Sequence, residues 1–184
     1  MNVYLCFMQT DSYQTIGEAS EGLYREKGSK FLAFAHPVAS IEDVKSILEN
    51  YRKHYYDARH ICYAYRIGPA GEVFRVNDDG EPSGTAGRPI FGQLLSFNLT
   101  NTLVVVVRYF GGVLLGTGGL TVAYKAAANS ALSAAELVTK TVDVECCIRF
   151  EFPFLDMVLR LMRKAGAQML SQTYDSGCCI RLSV

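Results

Sequence analysis

The chain has no excess of either charge, no apolar run long enough to cross a bilayer, no CxxC pair and no internal repeat. Each absence narrows what it can be. Lys plus Arg and Asp plus Glu both number 18 in 184 residues, so the formal net charge is zero. That excludes a protein coated in base for non-specific nucleic-acid binding, while leaving room for a local basic strip. The longest apolar runs, LVVVV and ALSAAELV, fall far short of the roughly 20 residues a membrane-spanning helix needs. The opening MNVYLCFMQT has neither a positively charged start nor a small-residue cleavage site, so it does not read as a signal peptide. A cytoplasmic location is the expectation, with Met8 as a second candidate start, residues 1–20 as an N-terminal extension and its first several residues poorly anchored.

Metal-ligand spacing is missing too. Cys6 and Cys62 stand alone, and Cys146–Cys147 and Cys178–Cys179 are adjacent pairs. Structural zinc sites use a turn between their cysteines so that both sulfurs face one ion, whereas neighbours on a strand point to opposite faces. The expectation is no bound metal or cofactor, and reduced, mostly buried thiols.

What is present is a globular balance of 49% apolar and 20% charged residues, enough to fill a real core. LYREKG and KFLAFAHPV read as two strands turning at Gly28–Ser29. Ser40 with Asp43 three residues on caps a helix expected over 41–54, whose Ile41, Val44, Ile47, Leu48 and Tyr51 share a face. HICYAYRIG and GEVFRVN read as a hairpin, and PIFGQLLSFN as a short helix with Pro89 in its first turn. LVVVVRYF has no polar face over its first five residues, as expected of a central strand covered on both sides. An alanine-rich helix is expected from about Leu120 to Leu137, able to lie close to a sheet of mixed strands. From Thr141 the pattern becomes β-α-β-β, with Cys146, Ile148 and Phe150 facing one way, Cys147, Arg149 and Glu151 the other, and a turn at Asp175–Ser176–Gly177. Three parts follow: 1–20, 21–140 and 141–184. The fold class is α+β, an α/β sandwich.

NDDGEPSGTAGRPI followed by VVVVRYFGGVLLGTGGLTVAYKAAA, with KGSKFLAFAHPV and ARHICYAYRIG before them, resembles the YigZ/IMPACT family of translation regulators over about residues 22–138. The resemblance implies an Impact N-terminal-like domain over 21–140, with the fold shared by elongation factor G domain IV and a small-subunit ribosomal protein domain. It also implies that 141–184 is an incomplete ferredoxin-like module like elongation factor G domain V, lacking its last helix and strand.

The chemistry must come from the residues. GGVLLGTGG joins the end of the expected central strand to the start of the alanine-rich helix, where unpaired N–H groups and the helix dipole favour anions. Gly111 and Gly112 open it, and Gly116, Thr117, Gly118 and Gly119 offer bare backbone and one hydroxyl. Arg108 and Lys125 flank it as cations for a phosphate. Thr117 stands where a phosphate-binding Walker loop needs lysine, and the spacing is not GxGxxG. The loop is loosely similar to that of GHMP-type kinases, without its paired serines. The glycines serve either an anion or tight turns and close packing.

The segment 77–90 offers the same choice. Asp78, Asp79 and Glu81 lack calcium-loop spacing, and GEPSG is not the GxSxG elbow, so Ser83 is no evident nucleophile. Asp79, Glu81, Ser83 and Thr85 instead build successive turns running into a helix start edged by Arg88. Either the two glycine-rich turns meet as one anion- or nucleic-acid-binding face, or the carboxylates hold Arg66, Arg88 or Arg108 in ion pairs. Tyr63, Tyr65, Tyr109 and Phe110 raise base stacking as an option, although HICYAYRIG is not an RNP motif. No catalytic set assembles, so the sequence leans away from an enzyme. The leading expectation is a non-catalytic module bound to RNA or the ribosome. A regulator of translational stress signalling acting through a protein partner is the alternative, and an enzyme using the glycine loop on a phosphorylated substrate the third.

Overall fold

The computed structural model describes residues 12–174 and 177–184. Cys6, Met8 and the turn residues Asp175 and Ser176 lie outside them. The backbone divides into two compact units, one ending at Lys140 and the other running from Thr141 to Val184.

The first unit is built on a five-stranded sheet in the order β2-β3-β6-β4-β5, comprising β2 (Ser20–Glu26), β3 (Ser29–Pro37), β4 (His60–Ile67), β5 (Val73–Asn77) and β6 (Thr102–Tyr109). Every pairing in it is antiparallel, which corrects the mixed sheet expected from sequence. The doubly buried LVVVV run gave that impression. It is central, but helices cover an antiparallel sheet here. Leu103 to Val107 are wholly buried.

Strand alternation sends Leu103, Val105 and Val107 to one face, where α1 (Ile41–His54) packs Val44, Ile47, Leu48 and Tyr51 against them. The Ser40–Asp43 capping box starts that helix where expected. Val104 and Val106 face α2 (Gly87–Ser96) and α3 (Gly116–Ala134). Ala123, Ala127, Ala128 and Ala131 of α3 are wholly buried, and a Cβ on Gly22 of β2 would lie 2.3 Å from the Ala131 nitrogen. The small residues of α3 therefore let helix and strand backbones touch.

Two ends differ from the sequence expectation. β1 (Ser12–Ile16) forms within the expected extension, pairing with β7 (Leu137–Thr141) and burying Ile16 completely. α3 starts a turn early, so Gly116, Gly118 and Gly119 are helical rather than loop residues, and its expected last turn gives way to β7.

The second unit comprises β8 (Glu145–Phe150), α4 (Leu155–Ala165), β9 (Gln168–Tyr174) and β10 (Cys178–Ser183). β10 lies between β8 and β9, antiparallel to both, which is a split β-α-β arrangement. Met162, Leu155, Val158 and Leu159 of α4 cover Ile148, Phe150, Ile180 and Leu182. Gly166, at φ +71°, ends α4 in the left-handed conformation. Among the described residues, no helix is long and apolar enough to cross a membrane.

Candidate functional site

Chemistry-bearing residues converge where β6 ends, β4 begins and α3 passes over the sheet. Arg108 pairs in register with Phe31 of β3 and His60 of β4, on the face that Val104 and Val106 present to α3. There its Nη1 donates to Glu81 Oε1 at 2.5 Å, and the Tyr124 hydroxyl of α3 donates to the same oxygen at 2.8 Å. His60 Nε2 stands 3.9 Å from that carboxylate. Cys62 lies within hydrogen-bond distance of the Tyr124 hydroxyl at 3.3 Å and the Asp78 carbonyl at 3.0 Å. Glu81, Arg108 and Tyr124 are all buried. Burial pushes both the Cys62 thiol and the Tyr124 phenol far up, which leaves them un-ionised and inert.

The guanidinium of Arg108 is also held by rings, with its carbon 5.4 Å from the Phe31 centroid and 5.7 Å from that of Phe110. Its Nε is buried without a hydrogen-bond partner. Glu81 and Arg108 are thus paired through Nη1 inside the fold, and neither is presented to a visiting phosphate. The turn after β5 reaches Arg108 at the end of β6 and Tyr124 of α3 through Glu81, in the interior, while the glycine loop packs at Gly111 against Gly28 and Ser29.

The amino end of α2 is filled from within. Asp78 Oδ1 accepts from the Ala86 and Gly87 amides at 3.0 and 2.8 Å, and Oδ2 accepts from Gly84 at 2.8 Å. Burial alone would push this carboxyl up, but the three amides and nearby Arg88 outweigh it and hold it below the usual carboxylate range. Ala86 at the cap position offers no side-chain acceptor, so Asp78 supplies one from eight residues away. Asp79 is equally occupied. Its Oδ2 accepts from Ile61 N and its carbonyl from His60 Nδ1, both at 2.7 Å. Thr85 turns its hydroxyl back to the Pro82 carbonyl at 2.6 Å. Ser83 and Arg88 are exposed at the rim.

The amino end of α3 is different. Its first-turn amides have no intrahelical partner, and no side chain caps them. A Cβ on Gly116 or Gly118 would meet nothing within 4 Å, and Gly119 would touch only Leu115. Gly111 is architectural instead. Its Cβ would fall 1.9 Å from the Gly28 carbonyl carbon, and its amide donates to Ser29 Oγ at 3.2 Å. That contact buttons the β2–β3 hairpin tip, where Lys27 (φ +45°) and Gly28 (φ +79°) make the turn, onto the glycine loop. A cavity of about 250 Å³ separates the tip from the helix, lined by Tyr24, Lys27, Leu115, Gly118 and Gly119 among others. Gly112, at φ +88°, sits exposed between them.

Other sequence candidates fall elsewhere. Arg66 is at the far end of β4, tied to the Ala70 and Leu99 carbonyls at 2.7 and 3.3 Å. Lys125 is exposed on α3, in a stripe with Thr117 and Thr121. Tyr63 and Tyr65 stack in parallel beneath α1, both buried, so they are core residues rather than a platform for bases. Tyr109 packs against the same cluster and donates to Asp57 at 2.9 Å. Phe110 is exposed at the rim, under the Arg108 guanidinium. Sequence reading missed Lys27 and Tyr124. Tyr124 is the one aromatic in an alanine-rich helix, and that was the available signal. Among the described residues no group of three or more His, Cys, Asp or Glu could hold a metal.

Residues 27–132 match the model of the Impact N-terminal domain. The IMPACT family member YigZ of Escherichia coli (strain K12) is 35% identical over 145 residues, covering 78% of this chain and 71% of that protein. An IMPACT family member in the pol 5′ region of Thermus thermophilus is 44% identical over 135 residues, covering 73% and 72%. A crystal structure of a hypothetical protein aligns over 95% of this chain and 86% of its own, with a TM-score of 0.77 and 31% identity.

Proposed function

The chain belongs to the IMPACT family, and from that premise we propose that it serves translational control as a non-catalytic module that grips RNA, free or in the ribosome, by its phosphates. The observation that carries this reading is the uncapped amino end of α3. Gly116, Thr117, Gly118 and Gly119 offer unpaired amides beside Lys27, while the neighbouring helix end is closed by Asp78. Lys125, two turns along the same helix, extends the basic track. We read the two units as counterparts of elongation factor G domains IV and V, as the family resemblance implies. The buried cluster around Glu81 supports an architectural rather than a catalytic role for the carboxylates.

The test is binding of fluorescent ribosomal RNA fragments across a salt series. Phosphate contacts release counterions, so affinity should fall linearly on a log–log plot. A flat plot, or unchanged affinity in Lys27→Glu, sinks the reading.

A second reading draws on a separate observation. Leu114 is 84% exposed and Val122 60% exposed beside the same helix end. Large apolar side chains left exposed on the loop before α3 and on α3 itself suit a protein partner. That reading expects a partner retained through moderate salt and nuclease treatment, and lost in Leu114→Ser.

A further inference from the structure

The second unit places two cysteines together that are 32 residues apart in sequence. α4 covers one face of the β8–β10–β9 sheet; Cys147 and Cys179 stand on the other. In the ladder Cys147 opposes Arg181 and Cys179 opposes Arg149, so the two thiols are diagonal neighbours on adjacent strands. Their sulfurs are 2.8 Å apart. Cys147 is exposed and Cys179 half-buried, in contrast to Cys62 and Cys178, which are buried. Cys146 is exposed, but among the described residues no second sulfur approaches it. Adjacent cysteines on one strand cannot meet, yet the alternate members of two such pairs can.

The surroundings suit a thiolate and an anionic visitor. The hydrogen bond from Cys147, then the Arg149 guanidinium, pull the Cys179 thiol below its ordinary value, while Cys147 is pushed up by the same shared hydrogen bond. Beside Cys179 lies a groove of about 940 Å³ whose lining includes Arg149, Glu151, Phe154 and Thr173. Arg149 there can pair with a carboxylate.

We propose that Cys147 and Cys179 form a redox-active dithiol that exchanges with a small carboxylate-bearing disulfide of the glutathione type. The Cys179 thiolate attacks one sulfur of the oxidised disulfide. That S–S bond breaks, one thiolate leaves, and Cys179 carries the other half as a mixed disulfide. Cys147 then attacks the Cys179 sulfur, giving its proton to solvent and releasing the second small thiol. Two protein thiols lose two electrons in all, and one small disulfide becomes two thiols. Closing the bridge draws the sulfurs from 2.8 Å to about 2.0 Å. The bridge lies on an uncovered face, so excess small thiol reverses it.

The experiment holds the full chain in glutathione buffers of graded oxidation at neutral pH, quenches with acid, alkylates under denaturing conditions and maps the peptides. The expected product links Cys147 to Cys179, leaves the other thiols alkylated, and disappears with dithiothreitol. Cys147→Ser should trap glutathione on Cys179, and Cys179→Ser should leave Cys147 unmodified. Arg149→Gln should slow the first step several-fold near pH 7 and little above the thiol's ordinary pKa, where ionisation no longer needs help. No linked peptide even in fully oxidised buffer overturns the proposal. So does glutathione spread equally over Cys146, Cys147 and Cys179, or a bridge that persists in either serine variant.

Discussion

Glu81 Oε1 and Arg108 Nη1 lie 2.5 Å apart in a closed interior, joined there by the Tyr124 hydroxyl. The pair ties the turn after β5 to the end of β6, and Tyr124 ties both to α3. A buried ion pair is not strongly stabilising against an apolar substitute, but losing one partner strands the other charge. Glu81→Gln should therefore destabilise the first unit by about 3–5 kcal/mol. The double variant Glu81→Leu with Arg108→Met should recover much of that loss. Urea unfolding of the three proteins, followed by circular dichroism, checks both statements. If the single variant unfolds at the wild-type midpoint, Glu81 is not the counter-ion of Arg108.

Asp78 makes a separate, pH-dependent contribution. Its folded pKa is depressed, so the stabilisation is complete above the ordinary carboxylate value and is lost as pH falls through the lower folded value. Asp78→Ala removes the remote cap of α2 and should cost about 1–2 kcal/mol at neutral pH. The difference from wild type should narrow in acid, below the ordinary carboxylate range. A gap that stays constant from pH 7 to pH 3 would show that the carboxylate charge is not what holds the amides.

These two carboxylates show where sequence stopped being legible. Local signals were enough for α1, because Ser40, Asp43 and the apolar stripe all lie within one helix. They were enough for the burial of β6, because Leu103 to Val107 carry no polar side chain. Whether Asp78, Asp79 and Glu81 face out or in depends on partners 6 to 43 residues away, which no spacing rule reaches. The same limit hid the first turn of α3. Glycines read as loop by propensity, yet the packed alanines behind them carry the helix forward through Gly116. Spacing along a strand sets the two cysteines of each pair on opposite faces, and the Cys147–Cys179 contact runs across strands instead.

Tyr63 and Tyr65 separate stacking from packing. Both rings lie under α1 with Leu103 and Val105, so Tyr63→Ala opens a cavity in the core. It should cost about 3 kcal/mol or more, and leave RNA affinity unchanged per folded molecule. Denaturant titration and filter binding on the same preparation distinguish the outcomes. A large loss of affinity at wild-type stability would mean that the rings reach a ligand after all.

The glycines of the loop divide into two kinds, and alanine substitution sorts them. At Gly111 a methyl group would fall 1.9 Å from the Gly28 carbonyl carbon, and backbone cannot step aside as a side-chain tip can. Gly111→Ala should push the hairpin tip off the loop, lowering stability and carrying Lys27 away from the helix end. At Gly118 a methyl group meets nothing within 4 Å, and the φ angle is not left-handed. Gly118→Ala should leave stability unchanged or raise it by up to about 1 kcal/mol, since alanine is the better helix former. If the open amides of α3 receive a phosphate, that same methyl group crowds the approach and RNA affinity falls while stability does not. Lys27→Glu should weaken binding across all sequences and lower the salt slope by about one contact. Gly118→Ala binding RNA like wild type would return this glycine to architecture and leave α3 without a ligand.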